Sequence, residues 1–289
     1  MNGIVLINKP SGVTSFSVTS AVKRKLGVKK AGHAGTLDPL ASGVLPVYTG
    51  SATRFIDLDK DAKKRYTAGF LLGQTSDTLD CTGKILSNSD VVVSRQDIEK
   101  LLCEFTGVIK QTPPAYSAIK QNGVPLYKLA RQGITPEVKS REITVFSIEL
   151  LEFDGSKGTL DVLCSKGTYI RTLIADIGDR LGFGALMSSL ERTQSSGFDI
   201  SQCVDFEEFL QGDKDEFVHS ADFAVMNYPS ADISLPQERL FRNGGGLFAA
   251  RMKLHGDGEY FRVYSENGFV GLGKKDKEQG LILPKCIMN

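Results

Sequence analysis

Apolar and polar residues alternate along the chain in blocks that change period from one segment to the next. Ile4–Ile7 is a short, continuously apolar run of the kind that forms a buried strand. Val18, Val22 and Leu26 then recur at helical spacing, with Ser15 or Ser17 available as a cap and Gly27 as a stop; Lys23, Arg24 and Lys25 fall on the outer side. Residues 31–50 are rich in Gly and Pro without a sustained period, which predicts loop with short strands. Tyr66–Leu72 reads as a strand. Ser94 and Asp97 form a capping box that opens a helix burying Ile98, Leu101, Leu102 and Phe105 and ending at Gly107. Strands are expected near Ile143–Phe153 and Leu160–Cys164, and a helix through Leu173, Ile174, Ile177 and Leu181 to Gly182.

Beyond an acidic stretch the pattern shifts to short strands between turn signals: Leu247–Leu254, Tyr260–Ser265, Phe269–Leu272 and Leu281–Ile287. A boundary near residue 230 therefore separates a large unit, 1–230, from a small β unit, 231–289. So short a unit buries little surface alone and needs docking to the main body.

Residues 110–141 break the alternation. Pro113, Pro114 and Pro125 punctuate them, and Tyr116 and Tyr127 are interspersed among Lys110, Lys120, Lys128, Arg131, Lys139 and Arg141, against the single acid Glu137. Pro125 suits the first turn of a short helix ending before Gly133. Bases interleaved with aromatics suit an insertion that grips a polyanion, and equally a plain surface excursion.

The formal net charge of +1 predicts no nucleic-acid partner, but its distribution changes the picture. Residues 1–66 hold eleven Lys and Arg against four Asp, whereas residues 199–222 hold eight acids and one lysine. Such polarity can present a basic face to phosphates. The five cysteines stand far apart without a CxxC pair, which points to a reducing, cytoplasmic setting. No apolar run approaches the roughly 20 residues that cross a bilayer. Walker, HExxH, GxSxG and zinc-deaminase patterns are missing and three histidines are scattered, so neither a metal nor any other cofactor is expected.

Two segments could carry chemistry. In Gly32-His33-Ala34-Gly35-Thr36-Leu37-Asp38-Pro39-Leu40-Ala41-Ser42-Gly43-Val44-Leu45-Pro46, glycine and proline interrupt any helical stripe, and Pro39 biases Asp38 toward an extended backbone. Gly35 and Gly43 permit turns or close approach by another backbone. The segment holds a lone carboxylate on a braced loop, although an Asp-Pro pair more commonly just caps a turn. In Ser165-Lys166-Gly167-Thr168-Tyr169-Ile170-Arg171, read as a strand, Tyr169 and Arg171 share a face and offer a ring beside a guanidinium; the bland alternative is an ordinary strand end.

These motifs resemble the TruB-type pseudouridine synthases, enzymes that make pseudouridine at position 55 of tRNA. The Asp38 segment is similar to the family's catalytic motif. Ile7-Asn8-Lys9-Pro10-Ser11-Gly12 resembles its lysine-proline motif, Lys64-Arg65-Tyr66 its tyrosine strand, and Leu72–Asp80 the following loop. Pro114–Lys120 resembles the start of its RNA-gripping insertion, and Ser165–Arg171 its tyrosine-arginine strand.

The resemblance spans roughly residues 3–200 and implies an α+β fold with a central mixed or antiparallel sheet flanked by helices. The last sixty residues match loosely the all-β PUA-like domain of bacterial members. It further implies that Asp38 is the catalytic carboxylate, that Tyr66 stacks on the target base and serves as base for its C5 proton, and that Arg171 pairs with Asp38 and holds it ionised. Tyr169 and Leu190 would line the pocket, Asp80 orient nearby groups, His33 fill the space the flipped uridine leaves, Lys9 and Pro10 shape the pocket floor, and Lys120 contact RNA. The expected partner is the T arm of tRNA, with the acceptor stem reached by the C-terminal unit, and the enzyme is expected to act as a monomer without a protein partner. The competing reading is a non-catalytic tRNA-binding or folding protein on the same scaffold.

Overall fold

The computed structural model describes residues 2–58, 62–117, 119–121, 123–126, 129, 132 and 138–288. Strands from the first 220 residues pair into one large sheet. Its main path runs Val204–Asp205, Gly3–Lys9, Ser42–Thr49, Ala185–Ser195, Lys63–Leu72, Lys157–Ser165, Arg141–Phe153, Gly107–Gln111. Most neighbours are antiparallel, but Ser42–Thr49 runs parallel to Ala185–Ser195, which makes the sheet mixed.

Helices pack against it. Ser15–Lys25 closes one core with Val5, Ile7, Leu45, Val47 and Phe209. Arg95–Leu102 and Ile170–Leu181 close a larger one with Phe70, Leu150, Leu160 and Met187. The Ser94–Asp97 box and the left-handed Gly182 stop stand where the sequence predicts them. The cap of the first helix does not: Thr14 accepts from the Ser17 backbone N–H, while Ser15 is buried and bonded to the Asp38 loop.

Two other expectations change. Tyr169 and Arg171 are not on a strand, because the chain leaves the sheet at Ser165, turns at Gly167 with φ of +92°, and starts a helix at Ile170. The 247–254 segment is broken into Leu247–Phe248 and Lys253–His255 around a short 3-10 turn.

A second, six-stranded sheet begins at Ser230 and includes Tyr260–Ser265, Gly268–Asp276 and Leu281–Ile287. Helix Leu235–Arg242, opened by a Ser234–Gln237 capping box, adds Phe241 to this sheet's core. Leu272, Cys286 and Met288 pack with Ile4, Tyr48, Phe55 and Val225 of the larger unit, and Arg54 Nη1 donates to Ile287 O at 2.8 Å. The small unit is thus docked through a shared apolar cluster. No helix among the described residues is long and apolar enough to cross a membrane.

Candidate active site

Asp38 owes its position to two tethers between the 11–15 segment and its own loop. Ser15 Oγ donates to Leu37 O at 3.0 Å and accepts from Leu37 N at 2.8 Å. On the other side of the aspartate, Gly12 N donates to Pro39 O at 2.8 Å and Ser11 Oγ to Leu40 O at 2.7 Å. Each net hydrogen bond contributes about 1 kcal/mol, so four of them on Leu37, Pro39 and Leu40 restrict the loop strongly.

The glycines of this loop do what their types suggest. Gly35 has φ of +79°, and Gly43, at +103°, lies so close to the next strand that a Cβ there would stand 2.2 Å from Arg192 O.

The guanidinium of Arg171, in the first turn of helix Ile170–Leu181, meets this loop. Its Nε is 3.0 Å from Asp38 Oδ2, and its Nη1 is 3.6 Å from Asp80 Oδ2. Its Nη1 and Nη2 also donate to Thr78 O and Tyr116 O. A cation in a first helical turn opposes the helix dipole, and two carboxylates offset that here. Asp80 is itself fixed by Thr78 Oγ1, Thr82 N and Thr82 Oγ1. Arg171 and Asp80 are both buried, whereas the Asp38 side chain is 39% exposed.

Burial raises the Asp38 carboxyl above its ordinary range, while Arg171 pulls it the other way and Asp80 pushes it up further. The net direction is upward, so Arg171 offsets the desolvation only in part.

Two cavities meet at this ion pair. One, of about 280 Å³, is lined by Lys64, Tyr66, Lys166, Tyr169 and Leu190. The other, of about 640 Å³, is lined by Phe16, His33, Pro39, Thr78, Asp80 and Tyr116. Thr36, Leu37, Asp38, Ser117 and Arg171 border both. Tyr66 comes from the middle of Lys63–Leu72 and Leu190 from Ala185–Ser195. Tyr169 is held through its backbone by Gln111, which donates to its carbonyl and accepts from its N–H, and Arg141 lies 5.1 Å over its ring.

Other residues singled out by sequence sit at the margin. Lys9 is fully buried and lines neither cavity; its Nζ donates to Pro10 O and Val13 O at 2.8 Å, and burial lowers its pKa to about 8. Pro10 is exposed and likewise lines neither. The His33 Nδ1 is buried without a partner among the described residues, and burial with nearby Arg192 and Lys64 holds the ring below its ordinary pKa.

The Lys120 side chain lies outside the described residues, as do Tyr127, Lys128, Arg131 and Glu137 of the insertion, and with them the expected short helix. Nor are all the N-terminal bases a surface: Lys25 Nζ caps the Phe206–Gln211 helix at Phe209 O, Leu210 O and Gly212 O. In the C-terminal unit, Arg242 is held by Glu238 and Met288 O, and Arg262 by Tyr228 O and the Tyr264 hydroxyl. Arg251 and Lys253 stay exposed.

Gln111 and Arg192 were not legible beforehand as site residues, because a buried polar side chain carries no periodic signal.

Residues 23–170 match the TruB family pseudouridylate synthase N-terminal domain, and residues 171–222 match a tRNA pseudouridylate synthase B C-terminal domain. A tRNA pseudouridine synthase B of Clostridium perfringens is 42% identical over 294 residues, spanning 100% of this chain and 99% of that one. The enzyme of the same description from Pseudomonas fluorescens is 42% identical over 296 residues, spanning 100% and 96%. Among solved structures, an H/ACA ribonucleoprotein bound to a substrate RNA containing 2'-deoxyuridine has a chain with TM-score 0.74 and 26% identity, covering 99% of this chain and 85% of that one. A chain of a Cbf5–Nop10–Gar1 complex gives TM-score 0.74 and 28% identity, covering 99% and 84%.

Proposed function

The chain belongs to the TruB family of pseudouridylate synthases and forms pseudouridine in tRNA, and from that premise we propose that it isomerises uridine 55 of the T loop with Asp38 as catalytic carboxylate. The observation that carries this reading is the Asp38–Arg171 pair at 3.0 Å where two cavities meet, with Tyr66, Tyr169 and Leu190 forming the walls of one.

A uridine must leave its stack before C1′ and C5 can be reached, at a cost of a few kcal/mol that stacking and pocket contacts offset. The 280 Å³ cavity offers a phenol, a second tyrosine and a leucine to a flat base. Asp38 then stands at the sugar side, where a carboxylate stabilises positive charge at C1′ as the bond to N1 breaks. It acts either by bonding to the sugar or by taking a proton from it. The uracil rotates, C5 bonds to C1′, and the C5 proton leaves toward Tyr66 while N1 gains one. Atoms and electrons are conserved without a cofactor. Water in the closed pocket would divert the intermediate, which gives the buried walls their use.

We further infer that the protein works in the cytoplasm as a monomer, with the insertion around 110–141 gripping the T arm, and that Arg251 and Lys253 supply what acceptor-stem contacts the C-terminal unit makes.

The decisive experiment gives purified protein unmodified tRNA transcripts, maps the product, and follows tritium release from C5. Wild type should modify one T-loop uridine, and Asp38→Asn should bind tRNA within a few-fold while releasing no tritium. Turnover near wild type in Asp38→Asn removes that residue from the chemistry. Binding without turnover by the wild-type protein favours the non-catalytic tRNA-binding alternative.

A further inference from the structure

Arg192 is the largest fully buried side chain of the described residues, at 0% exposure, and it is charged. It sits on Ala185–Ser195 directly opposite Tyr66 on one side, in antiparallel register, and Gly43 on the other, in parallel register. Its Nε and Nη2 donate to Val44 O at 2.9 and 2.7 Å, and Nη2 also to Gly35 O at 3.0 Å. Gly35 and Val44 flank the segment that carries Asp38. One guanidinium therefore ties the entrance and exit of the catalytic loop to the strand beside Tyr66.

Its electrostatic setting is unusual. Burial disfavours the cation, and the acidic groups facing it among the described residues are the Tyr66 phenol and the Cys203 thiol, neither of them a carboxylate. Nη1 has no hydrogen-bond partner among the described residues. Lys64, whose Nζ borders Gly35 near Nη1, adds a second positive centre instead of a counter-charge. A buried cation whose strongest facing group is a phenol is arranged to hold that phenol and to favour its ionised form.

We propose that Arg192 is a positioning residue for the isomerisation: it locks the Tyr66 phenol and the Asp38 loop into one rigid unit, and its charge sets how readily the phenol gives up its proton. The inference rests on the reading of Tyr66 given above. The groups facing that phenol are Arg192 from Ala185–Ser195, Cys164 from Lys157–Ser165 and Asp38 from the loop. Burial raises the phenol's pKa, and Arg192 is the group among these that lowers it.

A double-mutant cycle on the full-length protein tests this. Arg192→Gln should lower kcat by about 100-fold, as loss of a preorganised charge does, with KM and tRNA affinity within about 3-fold. In a Tyr66→Phe background the same substitution should cost less than about 3-fold, because its partner is already gone. Arg192→Lys, which keeps the charge, should recover part of the activity in the Tyr66 background alone. Equal losses in both backgrounds, or parallel loss of tRNA affinity, overturn the proposal in favour of a purely architectural arginine.

If Arg192→Gln does not fold, kcat–pH profiles of Arg192→Lys with tyrosine or 3-fluorotyrosine at position 66 ask the same question. An Arg192→Lys profile displaced toward higher pH, and returned toward lower pH by the fluorinated phenol, supports the proposal; an Arg192→Lys profile that matches wild type in both pH dependence and kcat overturns it. Tyr66→Phe with wild-type turnover overturns the role of Tyr66 and this inference together, yet leaves the Asp38→Asn result standing, so the two failures are told apart.

Discussion

Replacing Gly43 by alanine tests the architecture around Asp38 with a single methyl group. The backbone φ of +103° is one that L side chains rarely adopt, and the added Cβ would lie 2.2 Å from Arg192 O, 2.7 Å from Arg192 N and 2.8 Å from Arg192 C. All three are backbone atoms, so no side chain can swing aside. The strands Ser42–Thr49 and Ala185–Ser195 must part by roughly 1 Å to reach ordinary van der Waals separation. That shift carries Val44 away from the Arg192 guanidinium one residue on. Backbone strain of about 1–3 kcal/mol and loss of the charged hydrogen bonds to Val44 O, about 1–3 kcal/mol, together give roughly 2–6 kcal/mol.

Urea unfolding measures the stability loss, and single-turnover tritium release measures the chemistry. A displacement near 1 Å at the reacting groups should slow the chemical step about 100-fold, with tRNA affinity little changed. Gly27→Ala is the control: its φ of +63° is also positive, though within the left-handed region that other residues can reach, and no atom lies within 4 Å of the new Cβ, so it should cost about 1 kcal/mol and leave turnover intact. Wild-type stability and turnover in Gly43→Ala would refute the argument that this contact sets the loop.

Arg171→Ala leaves Asp38 and Asp80 facing each other with no intervening cation. Stability should fall by about 3–5 kcal/mol, and the acidic limb of kcat/KM should move to higher pH; an unmoved limb would mean that Arg171 does not govern the carboxylate. In the intact enzyme that limb should already lie above the 3.8 of an unperturbed aspartate. Burial and neighbouring Arg192 lower Lys64 in the folded protein to about 7 from 10.5, so the unfolded chain binds the extra proton between those values and stability should rise with pH from about 7 toward 10. Denaturant unfolding at pH 7 and 9 should show the rise, reduced in Lys64→Met; identical slopes would refute it. Lys25→Met removes the donor that caps Phe206–Gln211, so it should cost about 1–2 kcal/mol without changing the salt dependence of tRNA binding. A salt slope smaller by about 1 would instead make Lys25 a phosphate contact.

Much of this could be read from the chain because local rules and tertiary needs agree. Ser94–Asp97, the Gly182 stop and the buried Ile4–Ile7 strand each satisfy propensity and packing together. The Asp38 segment is a different case: glycine and proline at 35, 39 and 43 state a backbone requirement, but an Asp-Pro pair by itself points to a turn cap, and only the resemblance to the TruB family singles out the carboxylate. Failures fell where the two disagree. Ala185–Ser195 lies in the middle of the sheet yet buries Arg192 and Ser195, and its register shifts twice against Lys63–Leu72, so neither alternation nor a continuous apolar run marks it. The cap falls on Thr14 and on neither Ser15 nor Ser17 because Ser15, an equally good cap by type, is used for the contact with Leu37, which is distant in sequence and adjacent only in space. Gln111 clamps Tyr169 across a similar gap. Basic residues misled for the opposite reason: charge counts along a chain do not distinguish a phosphate-facing lysine from one that caps a helix or lies beneath a pocket.

The paired tethers of residues 11–15 on Leu37, Pro39 and Leu40 have a consequence for how substrate and protein share the work of recognition. A carboxylate anchored on both flanks has little room to travel, so adaptation during encounter falls mainly to the nucleic acid. Transcripts whose loop is already loosened by weakened tertiary pairing should react faster in single turnover, whereas slackening the anchor should abolish that advantage. Attempts to redirect the catalyst toward a different RNA would then do best to leave the anchor alone and vary the Gln111–Arg141–Tyr169 wall.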